Sequence, residues 1–119
     1  MSSMRDLESK IIKWATDRDL LPVTYNHQVK QYAQFAKSVE ELSELGNAIS
    51  KDDIEAAKDA IGDVIVTLVL QANTWGLDIH ECVEYAYNQI KDRKGKKVGD
   101  VFVKECDLPT PDPDEARSI

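Results

Sequence analysis

Between Val29 and Ile49 the residues Val29, Tyr32, Phe35, Val39, Leu42, Gly46 and Ile49 return every three or four positions. A strand would alternate at every second residue. The spacing therefore predicts one long amphipathic helix from about Asn26 to Ile49, ending near Ser50 and Lys51. Such a stripe needs covering, and the rest of the chain supplies further helices. Leu7, Ile11, Ile12 and Trp14 give a short one over Asp6 to Ala15, closed off by Pro22. A third runs from Asp52 or Asp53, an aspartate cap, to Trp75, with Gly76 as its stop. Its VIVTLVL core also suits a buried strand, but the length of the segment decides for helix. Asp78 and Glu81 form a capping-box pair that opens a fourth helix, which runs to Lys94 before Gly95.

After Gly95, the stretch KKVGDVFVKE places Val98, Val101 and Val103 about a glycine-aspartate turn, the pattern of a small hairpin or extended arm. The expected fold class is all-α, a four-helix bundle with a short extended or hairpin segment near the C-terminus. At 119 residues there is room for one domain, assigned to 1–106, with 107–119 as a disordered tail ending in LPTPDPDEARSI.

Charge removes whole classes of function. With 22 acidic residues against 15 basic ones the net charge is −7, which repels nucleic-acid backbones and anionic membranes. The apolar stretch VIVTLVLQA is far short of the ~20 residues that span a bilayer, and MSSMRDLESK has no apolar signal core. Cys82 and Cys106 have neither disulfide-framework nor zinc-site spacing, so a reducing, cytoplasmic setting is expected. An acidic chain that handles phosphates must hold them through bound cations or a local basic cluster.

Both features are present. Glu40, Glu41 and Glu44 share one face of the long helix, roughly opposite Phe35, Val39, Leu42 and Ile49, a placement that equally suits a solvated face. Asp59 and Asp63 lie four apart on the third helix, where Asp is a poor interior residue. Asp63 borders an apolar stretch, so surface decoration is a poor account of it beside a cation or a buried Lys or Arg partner. In an antiparallel hairpin turning near Lys51 and Asp52, Glu40 would face Asp63 and Glu44 would face Asp59. Carboxylates converging in this way require divalent cations, and their hard oxygens suit Mg²⁺ or Mn²⁺. Di-iron chemistry is disfavoured without Glu-x-x-His pairs, and His27 and His80 read as ordinary polar positions. The basic run KDRKGKK supplies Lys91 and Arg93 as phosphate candidates, with Asn88 less than a turn before; cations ending a helix also complement its dipole. Gln34 and Lys37 could reach the same site, or lie on an ordinary exposed face.

The segments KSVEELSELGNAI, DAIGDVIVTL and GLDIHECVEYAYNQIKDRKGK together resemble the MazG-like nucleotide pyrophosphohydrolases, from roughly Gln31 to Glu105. The resemblance implies an all-α fold, a homodimer or dimer of dimers, and Mg²⁺-dependent cleavage of nucleoside triphosphates to monophosphate and pyrophosphate. It assigns Glu41, Glu44 and Asp63 to the metal and Glu40 to the adjoining acid, with Glu40 or a neighbouring carboxylate as base. One position departs from the pattern: Ala60 stands where the family usually has Glu, and Asp59 is the expected substitute ligand. The rival expectation is a non-catalytic helical oligomerisation module or degenerate family member.

Overall fold

The computed structural model describes residues 2–22 and 27–109. In chain order these form α1 (Met4–Thr16), α2 (His27–Lys51), α3 (Ile54–Thr74), α4 (Ile79–Ile90), β1 (Gly95–Val98), β2 (Val101–Lys104) and a 3₁₀ turn over Glu105–Asp107. The all-α expectation with a terminal hairpin holds. The expected tail falls mostly on residues 110–119, outside the described residues, while Asp107 closes the 3₁₀ turn.

Helix starts follow from side chains that satisfy free N–H groups. Ser3 and Asp6 form a capping box at α1, and Asp53 Oδ1 accepts from the Ala56 N–H at 3.1 Å. At α4 the Glu81 N–H donates to Asp78 Oδ1 at 2.8 Å while the Asp78 N–H donates to Glu81 Oε1 at 2.9 Å. The ends of α1, α2 and α3 share one device. The N–H groups of Leu20, Asp53 and Leu77 reach back to the carbonyls of Ala15, Ala48 and Ala72, around left-handed residues Asp19 (φ 59°), Asp52 (φ 50°) and Gly76 (φ 72°). Glycine adopts that conformation freely, whereas each aspartate bears a steric cost of ~1 kcal/mol.

The chain divides into two units, 1–83 and 84–119. In the second, α4 stops at Ile90 rather than at Lys94. Lys94 already belongs to the hairpin, its carbonyl accepting from the Glu105 N–H at 2.8 Å. The basic run thus lies beyond the helix, not in its last turn. A Cβ on Gly95 would meet the Val103 carbonyl and the Phe102 ring, so this glycine serves close strand approach. Val98 pairs with Val101 across a two-residue turn that Gly99 opens at φ 60°.

In the first unit α2 and α3 are antiparallel. Gln31 Nε2 donates to the Thr74 carbonyl at 3.3 Å, Gln71 Nε2 donates to the Gln31 carbonyl at 2.9 Å, and the Ser38 hydroxyl meets Thr67 Oγ1 at 2.7 Å. Seven residues forward on α2 thus match seven back on α3, and the next step brings half-buried Leu45 to Ala60, which is 2% exposed. α1 packs on α3 through a core of Ala15, Leu21 and Leu70, joined by Ile11, Ile12 and Leu20. It also reaches α4, where Glu8 Oε2 accepts from the Ile79 N–H at 2.9 Å.

The face of α2 against α3 corrects the sequence reading. Gln31, Gln34, Ser38, Glu41, Leu45 and Ala48 turn inward, and the stripe of Phe35, Val39, Leu42 and Ile49 stands 51–71% exposed. Helical spacing locates a stripe but does not choose what covers it. Here polar pairs across α2 and α3 take the inner face.

Candidate metal centre

Glu41 and Glu44 are three apart on α2, so their side chains leave the same side of the helix. Opposite them α3 contributes Asp63. One oxygen from each carboxylate lies within 4.8 Å of the other two. Glu41 is the innermost, its side chain 9% exposed, while Asp63 is half-buried and Glu44 is exposed.

Such a group is electrostatically unfavourable as it stands. Burial first, then the close carboxyl of Glu44 and the charge of Asp63, raise the Glu41 carboxyl above the ordinary glutamate range; Lys37 offsets this only in part. Lys37 Nζ lies 3.9 Å from Glu41 Oε1 but 3.2 Å from Glu40 Oε2, and its own pKa is raised chiefly by the Glu40 hydrogen bond and charge. Glu41 Oε2 is buried without a hydrogen-bond partner. Among the described residues no Lys or Arg pairs with Asp63. Buried carboxylate oxygens are seldom left in that state. A divalent cation fits the donor set, because three anionic hard oxygens supply ligands of the kind that Mg²⁺ and Mn²⁺ prefer.

Beside the carboxylates is a cavity of about 350 Å³, lined by Glu41 and Asp63 together with Gln34, Lys37, Trp14, Leu20 and Thr67. Gln34 and Lys37 thus join the site from their helix face. Trp14, Leu20 and Thr67 escaped the sequence reading, since nothing local marks a tryptophan on α1 as other than core. Trp14 is in fact half-exposed, with the Arg18 guanidinium 4.7 Å from its ring centroid.

The remaining expected site residues are placed otherwise. Glu40 is exposed and bound to Lys37, outside the three-carboxylate group. Asp59 is also exposed and outside it, although with Asp63 and Glu55 it borders an open cavity of about 470 Å³. The facing pairs Glu40 with Asp63 and Glu44 with Asp59 give way to Glu41 and Glu44 gathered at Asp63. Asn88 and Lys91 are exposed and Arg93 half-buried, all in the second unit.

A family model described as the MazG nucleotide pyrophosphohydrolase domain matches residues 30–98, more than half of the chain. The chain belongs to this family. The match spans most of α2 and all of α3, α4 and β1, so the MazG region holds the three carboxylates as well as Asn88, Lys91 and Arg93, and leaves α1 with Trp14 outside. A protein of Haemophilus phage HP1 (strain HP1c1), described as an uncharacterized 18.2 kDa protein in the rep-hol intergenic region, is 32% identical over 78 residues. That alignment covers 66% of this chain and 45% of the phage protein. The chain therefore spans less than half the length of that curated relative. No solved structure matches it significantly.

Proposed function

We propose that this MazG family member is a Mg²⁺-dependent nucleoside triphosphate pyrophosphohydrolase, converting (d)NTP and water to (d)NMP and pyrophosphate. The observation that carries the reading is Glu41 Oε2, buried and unpartnered in a carboxylate that groups with Glu44 and Asp63 and lines a cavity large enough for a small ligand.

Glu41, Glu44 and Asp63 would hold Mg²⁺, with Mn²⁺ as an alternative, and the cation would supply positive charge against the triphosphate and acidify a water. Glu40, held by Lys37, is the candidate to take the proton of the attacking water. Trp14 offers a ring face to the nucleobase and Gln34 an amide to its edge, both from the cavity wall. Asp59, on the shared cavity with Asp63, is positioned to add a carboxylate toward a cation. Lys91 and Arg93, with Asn88 before them, are the phosphate candidates that the sequence offers. The working form is a homodimer or dimer of dimers, and free Cys82 and Cys106 support a cytoplasmic setting.

The test is a panel of canonical and modified nucleoside triphosphates, assayed for monophosphate and pyrophosphate with and without Mg²⁺. Turnover that requires the cation supports the reading. No turnover on any substrate favours the rival, a helical module without catalysis, for which the buried Ala60 is the supporting observation: no carboxylate stands at that position of the α2–α3 interface.

A further inference from the structure

The basic run beyond α4 folds into the hairpin of β1 and β2, and strand pairing sorts its side chains. Directly opposed residues share a face, so the pairs Gly95 with Lys104 and Lys97 with Phe102 put Lys97, Phe102 and Lys104 on one side. Lys96, Val98, Val101 and Val103 take the other. The Phe102 ring lies against Gly95, where any side chain would collide with it, and the residue still stands 55% exposed. The backbone thus holds part of the ring while much of it stays open to solvent. Cover for a strand glycine explains the position of the ring. It leaves unexplained the two lysines on the same side.

Charge here departs from the rest of the chain. Between Lys91 and Lys104 stand Lys91, Arg93, Lys94, Lys96, Lys97 and Lys104 against only Asp92 and Asp100, in a protein whose net charge is −7. Among the described residues none of these six cations pairs with a carboxylate. All but the half-buried Arg93 are exposed. The repulsion that the whole chain exerts on nucleic-acid backbones is therefore an average, and this hairpin is its local reversal.

We propose that the face of Lys97, Phe102 and Lys104 binds single-stranded nucleic acid, with one base stacked on Phe102 and the neighbouring phosphates on the two lysines. An open aromatic ring flanked by ammonium groups binds unpaired strands with little regard to sequence, since every base has a π-face and phenylalanine reads no hydrogen bonds. A duplex keeps its bases stacked on one another and offers the ring nothing. An acidic peptide would use the lysines and leave the ring idle. A membrane would have to take in Asp100, which stands in the turn between Val98 and Val101, and a carboxylate there opposes insertion. The site goes beyond the proposed hydrolysis: none of its three residues lines the cavities beside the carboxylates, and Phe102 and Lys104 follow the stretch that matches the family.

Fluorescence anisotropy of a labelled oligothymidylate of ~10 nucleotides tests the site on the full chain. Low salt favours the contact, and EDTA removes any route through a cation at the carboxylates. The strand is expected to bind, with a log–log salt slope shallower than about −4, the limit for six cations at ~0.7 each. Phe102→Leu keeps apolar cover over Gly95 but loses the ring, and is expected to weaken binding at least ~5-fold, whereas Phe102→Tyr retains it. Lys97→Glu is expected to weaken binding more than Lys10→Glu, an equal change of charge placed on α1. Wild-type affinity in Phe102→Leu, an equal loss in Lys10→Glu, or a duplex of the same length binding as well as the strand overturns the site. So does the absence of binding, or adsorption to anionic phospholipid vesicles without binding of the strand. Each of these outcomes leaves the proposed hydrolysis standing, because the probe carries no triphosphate.

Discussion

Ser38 and Leu42 stand one turn apart on α2 and face opposite fates. Ser38 is buried, its hydroxyl shared between Thr67 Oγ1 and the Gln34 carbonyl, while Leu42 is more than half exposed. The inner face of this helix and its flank invert the usual distribution of polarity. Toward α3 it presents amides, a hydroxyl and a buried carboxylate ahead of Leu45 and Ala48, and on the flank about 100° around the helix it presents apolar side chains. The inner face costs hydrophobic stabilisation but fixes register, since each hydrogen bond to α3 has one correct partner. The flank stores apolar area that a single copy does not use. Chemistry and association are thereby assigned to different sides of one helix.

The largest expected effects lie at the carboxylate group. Glu44→Gln or Asp63→Asn should lower pyrophosphate release by at least ~100-fold with helicity retained, because each removes an anionic ligand. Activity at the wild-type level in either variant would remove the carboxylate group from the catalytic account. Glu41→Gln should abolish turnover too, yet raise the melting temperature of the metal-free protein, since a neutral amide relieves the burial and repulsion that Glu41 suffers.

The same carboxyl makes a pH prediction. Its folded pKa lies above the unfolded value, so the folded state holds its proton to higher pH than the unfolded chain. The stability it contributes is present in acid and lost as pH rises through the raised value. The excess melting temperature of Glu41→Gln over wild type should therefore shrink as pH falls from neutral toward the ordinary carboxylate range. Stabilisation by Mg²⁺ should weaken over the same interval, because proton and cation compete for one carboxylate. Parallel melting curves of the two proteins across pH would contradict this.

Leu42→Ala and Ser38→Ala separate the faces directly. The first should cost ~1–2 kcal/mol in a manner that depends on protein concentration, and the second ~1 kcal/mol at any concentration. Urea unfolding at two concentrations differing tenfold reads both. The smallest effect is expected at the turn joining α2 to α3. Asp52→Gly should stabilise by ~0.5–1 kcal/mol, as glycine accepts the left-handed backbone there without strain. A loss of stability would mean that the Asp52 side chain contributes something its conformation does not reveal.

Local chemistry was legible in the sequence and longer-range choices were not. Ser3 escaped notice, but Asp53 and the Asp78 and Glu81 pair announced their helices, because a cap acts within four residues. Gly95 was misleading: read as a helix stop, it serves the packing of the hairpin. Glu41, Glu44 and Asp63 were recoverable from spacing and resemblance. Their partners were not, because the closing turn at Asp52 and Asp53 sets the register through backbone hydrogen bonds that composition does not encode. The inward turn of Gln31 and Gln71 had no signal either. Glutamine at helical spacing looks like a solvated face until its partner helix is placed.

Glu8 carries a consequence for where the functional unit begins. Its carboxylate joins α1 to the start of α4, and the same helix brings Trp14 to the cavity wall, yet both residues precede the stretch that matches the family. A chain shortened to residues 30–98 would keep every proposed metal ligand while losing one wall of the cavity and an anchor of α4. If Trp14 meets the nucleobase, grafting a different first helix onto the same α2 and α3 would exchange preference among nucleotides and leave the hydrolytic apparatus in place, so selectivity and reaction could be inherited from separate segments.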